Sequence, residues 1–260
     1  MPRSKPPTAL VWDPPARSRA PLHRDDLVRA ALELLDQSGV EGLTMRNLAE
    51  RLGVQAASLY NHIRDKRDVL TLIADAIVAE VPRPHPGLTW REALKSVAIE
   101  YRRVLLGHRD AARVLTDTPP LGPHRLRLMD ELLGILRSAG FSDDDVASAG
   151  WMFNTFVTGF VLDEQSQAPA SPDPAAAQQQ FDVTTWLKQL PADQFPNIVA
   201  VAEPLFDQPM DRRFAFGLDA VLDGLEVRLR GASARMLTLA RNRAKTNASR
   251  RRAARSGPSR

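Results

Sequence analysis

Apolar residues in this chain recur at three- and four-residue spacing almost throughout, and nowhere alternate as a half-buried strand would. From Arg24 to Ser38 the stripe is Leu27, Ala30, Ala31, Leu34 and Leu35, and Gly39 stops it. Thr44 is a suitable N-cap for a helix starting at Met45, in which Leu48 and Leu52 repeat before Gly53, a residue suited to a left-handed close. After Val54, expected to be buried by the turn, a second short helix starts near Gln55 with Leu59 facing inward. A longer helix over Asp68–Val81 is expected to bury Leu72, Ile73, Ala76 and Ile77 before Pro82, Pro84 and Pro86 break it.

The pattern continues in the same way. Thr89-Trp90 opens a helix to about Leu106 through Leu94, Val97, Ala98, Tyr101 and Leu105. A short helix around Ala111–Leu115 gives way to Pro119-Pro120. The next runs from Pro123 to Ala139 and carries Leu126, Met129, Leu132, Leu133 and Leu136. Gly140 ends it, and Ser142 caps a helix over Asp143–Gln165 that holds Trp151, Phe153, Phe156 and Phe160. Residues 166–180, with three prolines and three consecutive glutamines, read as a loose loop. Weaker helices over Phe181–Leu190 and Phe195–Phe206 precede a strong one over Arg212–Arg230, where Phe214, Leu218, Val221, Leu222, Leu225 and Leu229 step by three and four. The expected fold is all-α. A three-helix helix-turn-helix head over 22–67 joins a larger helical ligand-binding and dimerisation domain over 68–230, between a proline-rich flexible arm (1–21) and a basic disordered tail (231–260).

The stretch from Thr44 to Lys66 carries the chemistry. Two short helices joined by a tight turn present Gln55, Ala56, Ala57, Ser58, Tyr60, Asn61 and His62 outward. Small and hydrogen-bonding side chains on an exposed helix suit entry into a DNA major groove, where bulk blocks approach. Arg64, Lys66 and Arg67 follow at once, as cations that meet phosphates do. Leu43-Thr44 through Leu52-Gly53-Val54, with Ser58-Leu59-Tyr60 and Lys66, resembles the DNA-binding head of the TetR family of bacterial repressors.

Charge does not strengthen that reading. The net +4 divides into +3 on residues 1–21, −8 on 22–230 and +9 on 231–260, so the basic character belongs to the ends. With no cysteine, disulfides, thiolate metal sites and cysteine catalysis are excluded. No apolar run approaches the roughly 20 residues of a membrane span, and the N-terminus has no apolar core of a signal peptide, so a cytoplasmic protein is expected.

The resemblance extends beyond the head. Trp90, Leu105 through Asp110, Gly140-Phe141, Gly159, Val161-Leu162, Phe216-Gly217-Leu218 and Gly224-Leu225-Glu226 are similar to the effector domain of the family's tetracycline repressors. The similarity covers about residues 22–230. It implies a homodimer that holds two heads one turn of DNA apart and that a small effector releases from a palindromic operator. The helices over 143–165 and 212–230 are expected to supply part of the subunit contact, and Leu222 and Leu225 lie on the apolar stripe of the second, where a carboxylate would either be buried or force the subunits apart. It also implies DNA contacts at Thr44, Arg46, Ser58, Tyr60, His62 and Lys66, whereas Ala56, Ala57 and Asn61 stand where those relatives have glutamine, proline and tryptophan. A glutamine able to pair with adenine has become a methyl, so the operator should differ.

The implied effector site departs further. Pro82 and Leu115 replace the histidines that grip the drug and its metal, Val97 an asparagine, Glu131 a glutamine, Tyr101 a phenylalanine and Asp163 a glutamate, and Thr118 is kept. With Leu132, Leu136, Trp151, Phe156 and Phe160 as lining and Thr118, Glu131 and Asn154 as polar anchors, a mostly apolar effector bound without metal or cofactor is expected. Two other classes compete. An enzyme would draw on His108-Arg109-Asp110 or Asp163-Glu164, but no nucleophile elbow, phosphate loop or HExxH is present. An architectural protein acting through the basic tail would bind DNA without sequence preference.

Overall fold

The computed structural model describes residues 23–167 and 182–231, so the expected arm, the 168–180 part of the loop and nearly all of the basic tail lie outside the described residues. Among the described residues all regular structure is helical. The elements are α1 (Arg24–Gly42), α2 (Met45–Arg51), α3 (Ala56–Leu59), α4 (Lys66–Ala79), α5 (Trp90–Leu106), α6 (Ala111–Asp117), α7 (Pro123–Ala139), α8 (Asp143–Gln167), α9 (Val183–Lys188), α10 (Pro196–Phe206) and α11 (residues 210–231).

Helix starts follow local chemistry. The Thr44 hydroxyl accepts from the Asn47 N–H, and Asp65 accepts from the Asp68 N–H. Thr89 and Glu92 form a complete capping box at α5. Pro123 occupies the first turn of α7 and Gly140 closes that helix in the left-handed conformation. In α1 the regular helix stops at Gly39 (φ 68°), and one further turn brings the chain to Leu43.

The head packs Leu27, Ala31, Leu35, Leu43, Leu48, Leu59 and Ile63 into one buried cluster. At about 25 cal/mol per Å², each such leucine supplies on the order of 2 kcal/mol. α4 packs against α1 on the head side and against α5, α6 and α7 on the body side. Its buried row is Val69, Ile73, Ala74, Asp75, Ile77 and Val78, whereas Leu72 and Ala76, expected inside, are only half-buried. Val54 is likewise half-buried, because the turn leaves one side of it open.

In the body, α5, α7 and α8 pack on one another, and α6 lies against α4 and α8. Leu126 and Met129 are exposed on α7, since only its Leu132–Leu136 edge meets the core. Leu218, Leu222 and Leu225 of α11 are buried inside the chain. Leu222 and Leu225 therefore belong to the subunit's own core, one of the two placements that their apolar stripe allows. α9 and α10 pair as a hairpin.

Candidate DNA interface and effector domain

The outward surface of α2 and α3 stands on Leu48 and Ala49 of α2 and on Leu59 of α3. Leu59 is completely buried, while Thr44, Arg46, Gln55, Ala56, Ala57, Ser58, Tyr60, Asn61 and His62 are all exposed. The helix is shorter than the sequence pattern implies: regular α3 ends at Leu59, and residues 60–62 form a turn in which His62 N–H donates to Leu59 C=O at 2.9 Å. Tyr60, Asn61 and His62 thus extend the face as a turn. Ala56, Ala57 and Ser58 leave the approach open, and the side chains of Ser58, Asn61 and His62 carry no hydrogen bond among the described residues.

The three cations after α3 are not equivalent. Arg64 is held by Asp68 through a two-pronged guanidinium–carboxylate contact at 2.9 Å, which raises the arginine's pKa and lowers the aspartate's. Lys66 donates its ammonium to Val40 C=O at 2.7 Å and is half-buried, tying the start of α4 to the end of α1. Arg67 is exposed, and its guanidinium makes no hydrogen bond or ion pair among the described residues. Placing all three equally on phosphates overlooks these internal bonds.

The loop between α5 and α6 docks the body onto the head. Asp110, in the left-handed region (φ 57°), accepts from Val40 N–H at 2.8 Å. A side chain at Gly39 would overlap that carboxylate. His108 presents Nδ1 to Asp36 at 3.3 Å and Nε2 to Glu80 at 3.1 Å, and the Arg109 guanidinium donates to Gln37 C=O at 3.2 Å. The triplet that sequence offers as catalytic is a clamp on the end of α1. The other candidate pair is similarly occupied. Glu164 receives both prongs of Arg102, at 2.8 and 2.6 Å, and both side chains are largely buried; Arg102 also reaches Asp211 at 2.7 Å and lies 4.9 Å from the Phe214 ring centre. This stitches α5, α8 and α11 together. It went unread because nothing in the local sequence pairs position 102 with 164.

The residues assigned to the effector do not share one cavity. Val97, Tyr101, Leu115 and Thr118 are buried together in the interior of the body. Burial pushes the Tyr101 phenol well above its ordinary range, with Arg125 opposing, and its hydroxyl lies 3.5 Å from Asn154 Oδ1. Arg125, which sequence did not single out, donates to Thr118 Oγ1 at 2.8 Å and to Leu115 C=O at 3.0 Å, and burial lowers its pKa. Phe156 is half-buried, stacked on Phe214 at 5.5 Å between centres. Glu131 sits apart, beside an open pocket of about 520 Å³ between α5 and α7 that Leu88, Trp90, Ala93, Gly134 and Ile135 also line, and pairs with Arg83 at 3.8 Å. Trp151 is 74% exposed and Asp163 is exposed, so neither lines the interior as expected. α8 turns those positions outward because Phe153, Val157 and Val161 take the core face. A larger crevice, about 820 Å³, separates His62, Ile63 and Arg67 of the head from Pro119 and Leu121 of the body.

One exposed row on each of α8 and α11 is thin and carries no charge. Met152, Thr155, Gly159 and Leu162 follow one another along α8, and Phe216, Ala220, Gly224 and Val227 along α11, with Phe216 79% and Val227 68% exposed.

Two family models tile this architecture. Residues 27–73 match the model for bacterial regulatory proteins of the tetR family, and residues 83–229 match the C-terminal domain of tetracyclin repressor-like proteins. The chain belongs to the TetR family. It is a ligand-responsive transcriptional repressor. Among its TetR-family relatives, the class C tetracycline repressor of Escherichia coli is 36% identical over 208 residues, which are 79% of this chain and 91% of that protein. The structure of ActR from Streptomyces coelicolor in complex with actinorhodin superposes with a TM-score of 0.72 at 39% identity, covering 81% of this chain and 99% of that one. BioQ with its natural double-stranded DNA operator superposes at 0.58 with 29% identity, covering 78% and 98%. The TetR-family relatives are transcriptional regulators.

Proposed function

We propose that the chain acts in the cytoplasm as a homodimer that binds a palindromic operator and lets go when a mostly apolar effector enters the body. The observation that carries this reading is the open face of Ser58, Tyr60, Asn61 and His62 over a single buried anchor, Leu59, inside a segment that matches the family's DNA-binding model. Residues 22–67 form the head and 68–230 the body. Arg46 and Arg67 meet phosphates, Thr44 positions α2, and Gln55 through His62 read bases. Ala56 and Ala57 set an operator unlike that of the tetracycline repressors.

The dimer forms through the outer faces of α8 and α11. Gly159 and Gly224 allow close approach, Phe216 and Val227 supply apolar area, and no charged residue interrupts the Phe216–Val227 row. The absence of any described helix long and apolar enough to cross a membrane supports a cytoplasmic site. The assignment to binding rather than catalysis is supported by the structural use of His108, Asp110 and Glu164.

For the effector, Val97, Tyr101, Leu115 and Thr118 offer a mostly apolar interior with one aromatic ring and few polar anchors, and Leu115 has no lone pair for a metal. ActR is solved with actinorhodin, so actinorhodin is the first compound to titrate. Release from an operator duplex should proceed equally with magnesium and with EDTA. Release that vanishes with the chelator would contradict a metal-free effector.

A further inference from the structure

We infer that Asp75 is the positioning residue that couples the head to the body in this chain: its carboxylate, on the helix leaving the head, holds the first turn of α7, so that neither shifts alone. The inference rests on the operator-binding reading above. Asp75 stands in the buried row of α4, among Ile73, Ala74, Ile77 and Val78, and is 8% exposed. A carboxylate there is costly unless its oxygens are met by donors.

They are met by α7. Oδ1 accepts from the backbone N–H of His124 at 2.8 Å and of Arg125 at 2.9 Å, and Oδ2 lies 3.0 Å from His124 Nδ1. The N-cap of α7 is Gly122, which has no side chain to offer, so the first-turn donors and the positive end of the helix dipole would otherwise be unmet. Asp75 does the work of an N-cap from another helix. Gly122 is required by it, because a Cβ at that position would overlap the carboxylate.

The connection continues at both ends. Arg125, whose N–H is held by Asp75, sends its guanidinium to Leu115 C=O, Thr118 Oγ1 and Pro119 C=O at 3.0, 2.8 and 3.1 Å, at the C-terminal end of α6. At the other end, Lys66 fixes the start of α4 to Val40 of the head. Apolar helix faces can slide by small amounts at little cost. A carboxylate seated on two consecutive N–H groups has one register, so a displacement of α6 or α7 is passed to α4 rather than absorbed. Coupling of this kind is reciprocal: operator binding at the head must be felt at the α6–α7 junction.

Hydrogen exchange on the full-length protein, with and without an operator duplex enriched from random DNA, tests this without an effector. In the wild type the duplex should slow exchange over residues 44–62 and change it by about fivefold over 118–126, the low end of ordinary coupling. In Asp75→Ala the head should remain protected while the change over 118–126 disappears. Ser142→Ala is the control, since it removes an N-cap within α8 that bridges no other helix (Asp145 N–H to Ser142 Oγ, 3.2 Å), and it should leave the remote response intact. If Asp75→Ala is unfolded by circular dichroism, Asp75→Asn keeps the volume and an acceptor oxygen, and the remote response should at least halve. A folded Asp75 variant with the full response at 118–126, or a wild type protected only in the head, overturns the coupling. A wild type whose head is protected by no enriched duplex overturns the operator reading, and the coupling with it.

Discussion

In the head, α3 is fixed by one buried side chain, Leu59, and its polar side chains are left uncommitted. In the body, α5 is fastened to its neighbours by charge. Arg102 binds Glu164 and Asp211, Arg91 lies within 4 Å of Asp219, Asp223 and Glu226, and Lys95 holds Asp219 at 2.8 Å. The difference separates two uses of polar residues. A surface that must exchange water for a nucleic acid keeps its donors and acceptors unspent and takes its stability from one side only. A domain that must keep its helices in register pairs its charges between helices, and each of α8 and α11 is left with one exposed row that carries no charge.

The largest expected effect comes from reversing polarity on the two faces of α11. Leu222→Asp places an unpaired carboxylate in the core and should cost more than about 4 kcal/mol, leaving unfolded chain in circular dichroism. Phe216→Asp should leave the subunit folded and shift sedimentation from dimer to monomer. A folded monomer from Leu222→Asp would exchange the two faces.

Leu59→Ala addresses the head. Loss of the single anchor should cost about 2–5 kcal/mol locally. Operator binding should be abolished while most helical signal persists, and affinity within about threefold of wild type would show that α3 has another support. Arg102→Met tests the body's mode of fastening. It strands Glu164 in a largely buried site and should lower stability by about 3 kcal/mol, with folded protein at low temperature still binding operator. An unchanged melting temperature would mean that the pair contributes no net stability. The smallest effect separates two neighbouring cations. Arg67→Ala should lower the salt slope of DNA binding by about one, whereas Lys66→Ala should lower it by less and instead weaken the head by about 1 kcal/mol through the lost Val40 bond. The reverse ranking in a salt titration would place Lys66 on phosphate.

Helix limits were legible where punctuation was strong. Pro123 with Gly140 bounded α7, and Thr89 with Glu92 set the start of α5, because proline, glycine and capping residues act within a few positions of the chain. Orientation was not legible on α8, where Trp151, Phe153 and Phe156 are all aromatic and only packing decides that Phe153 is buried and Trp151 exposed. On α11 the sequence likewise left Leu222 and Leu225 between core and subunit contact, because periodicity marks an apolar face without saying what covers it. The exposed surface of the head was readable from Thr44 to His62, since a short helix with one leucine has one possible inside. The commitments of Lys66 to Val40 and of Asp75 to α7 were hidden, being bonds between positions 26 and 49 residues apart.

Sequence-selective binding by a dimer is decided by a competition titration. A palindromic duplex enriched from random DNA is titrated at fixed salt against a duplex of the same composition with one half-site scrambled, with stoichiometry followed by analytical ultracentrifugation. Two chains should bind the intact palindrome at least about 10³-fold more tightly than non-specific DNA, with most of that preference lost when one half-site is scrambled. Equal affinity for both duplexes, or a saturating ratio of one chain per palindrome, would contradict it.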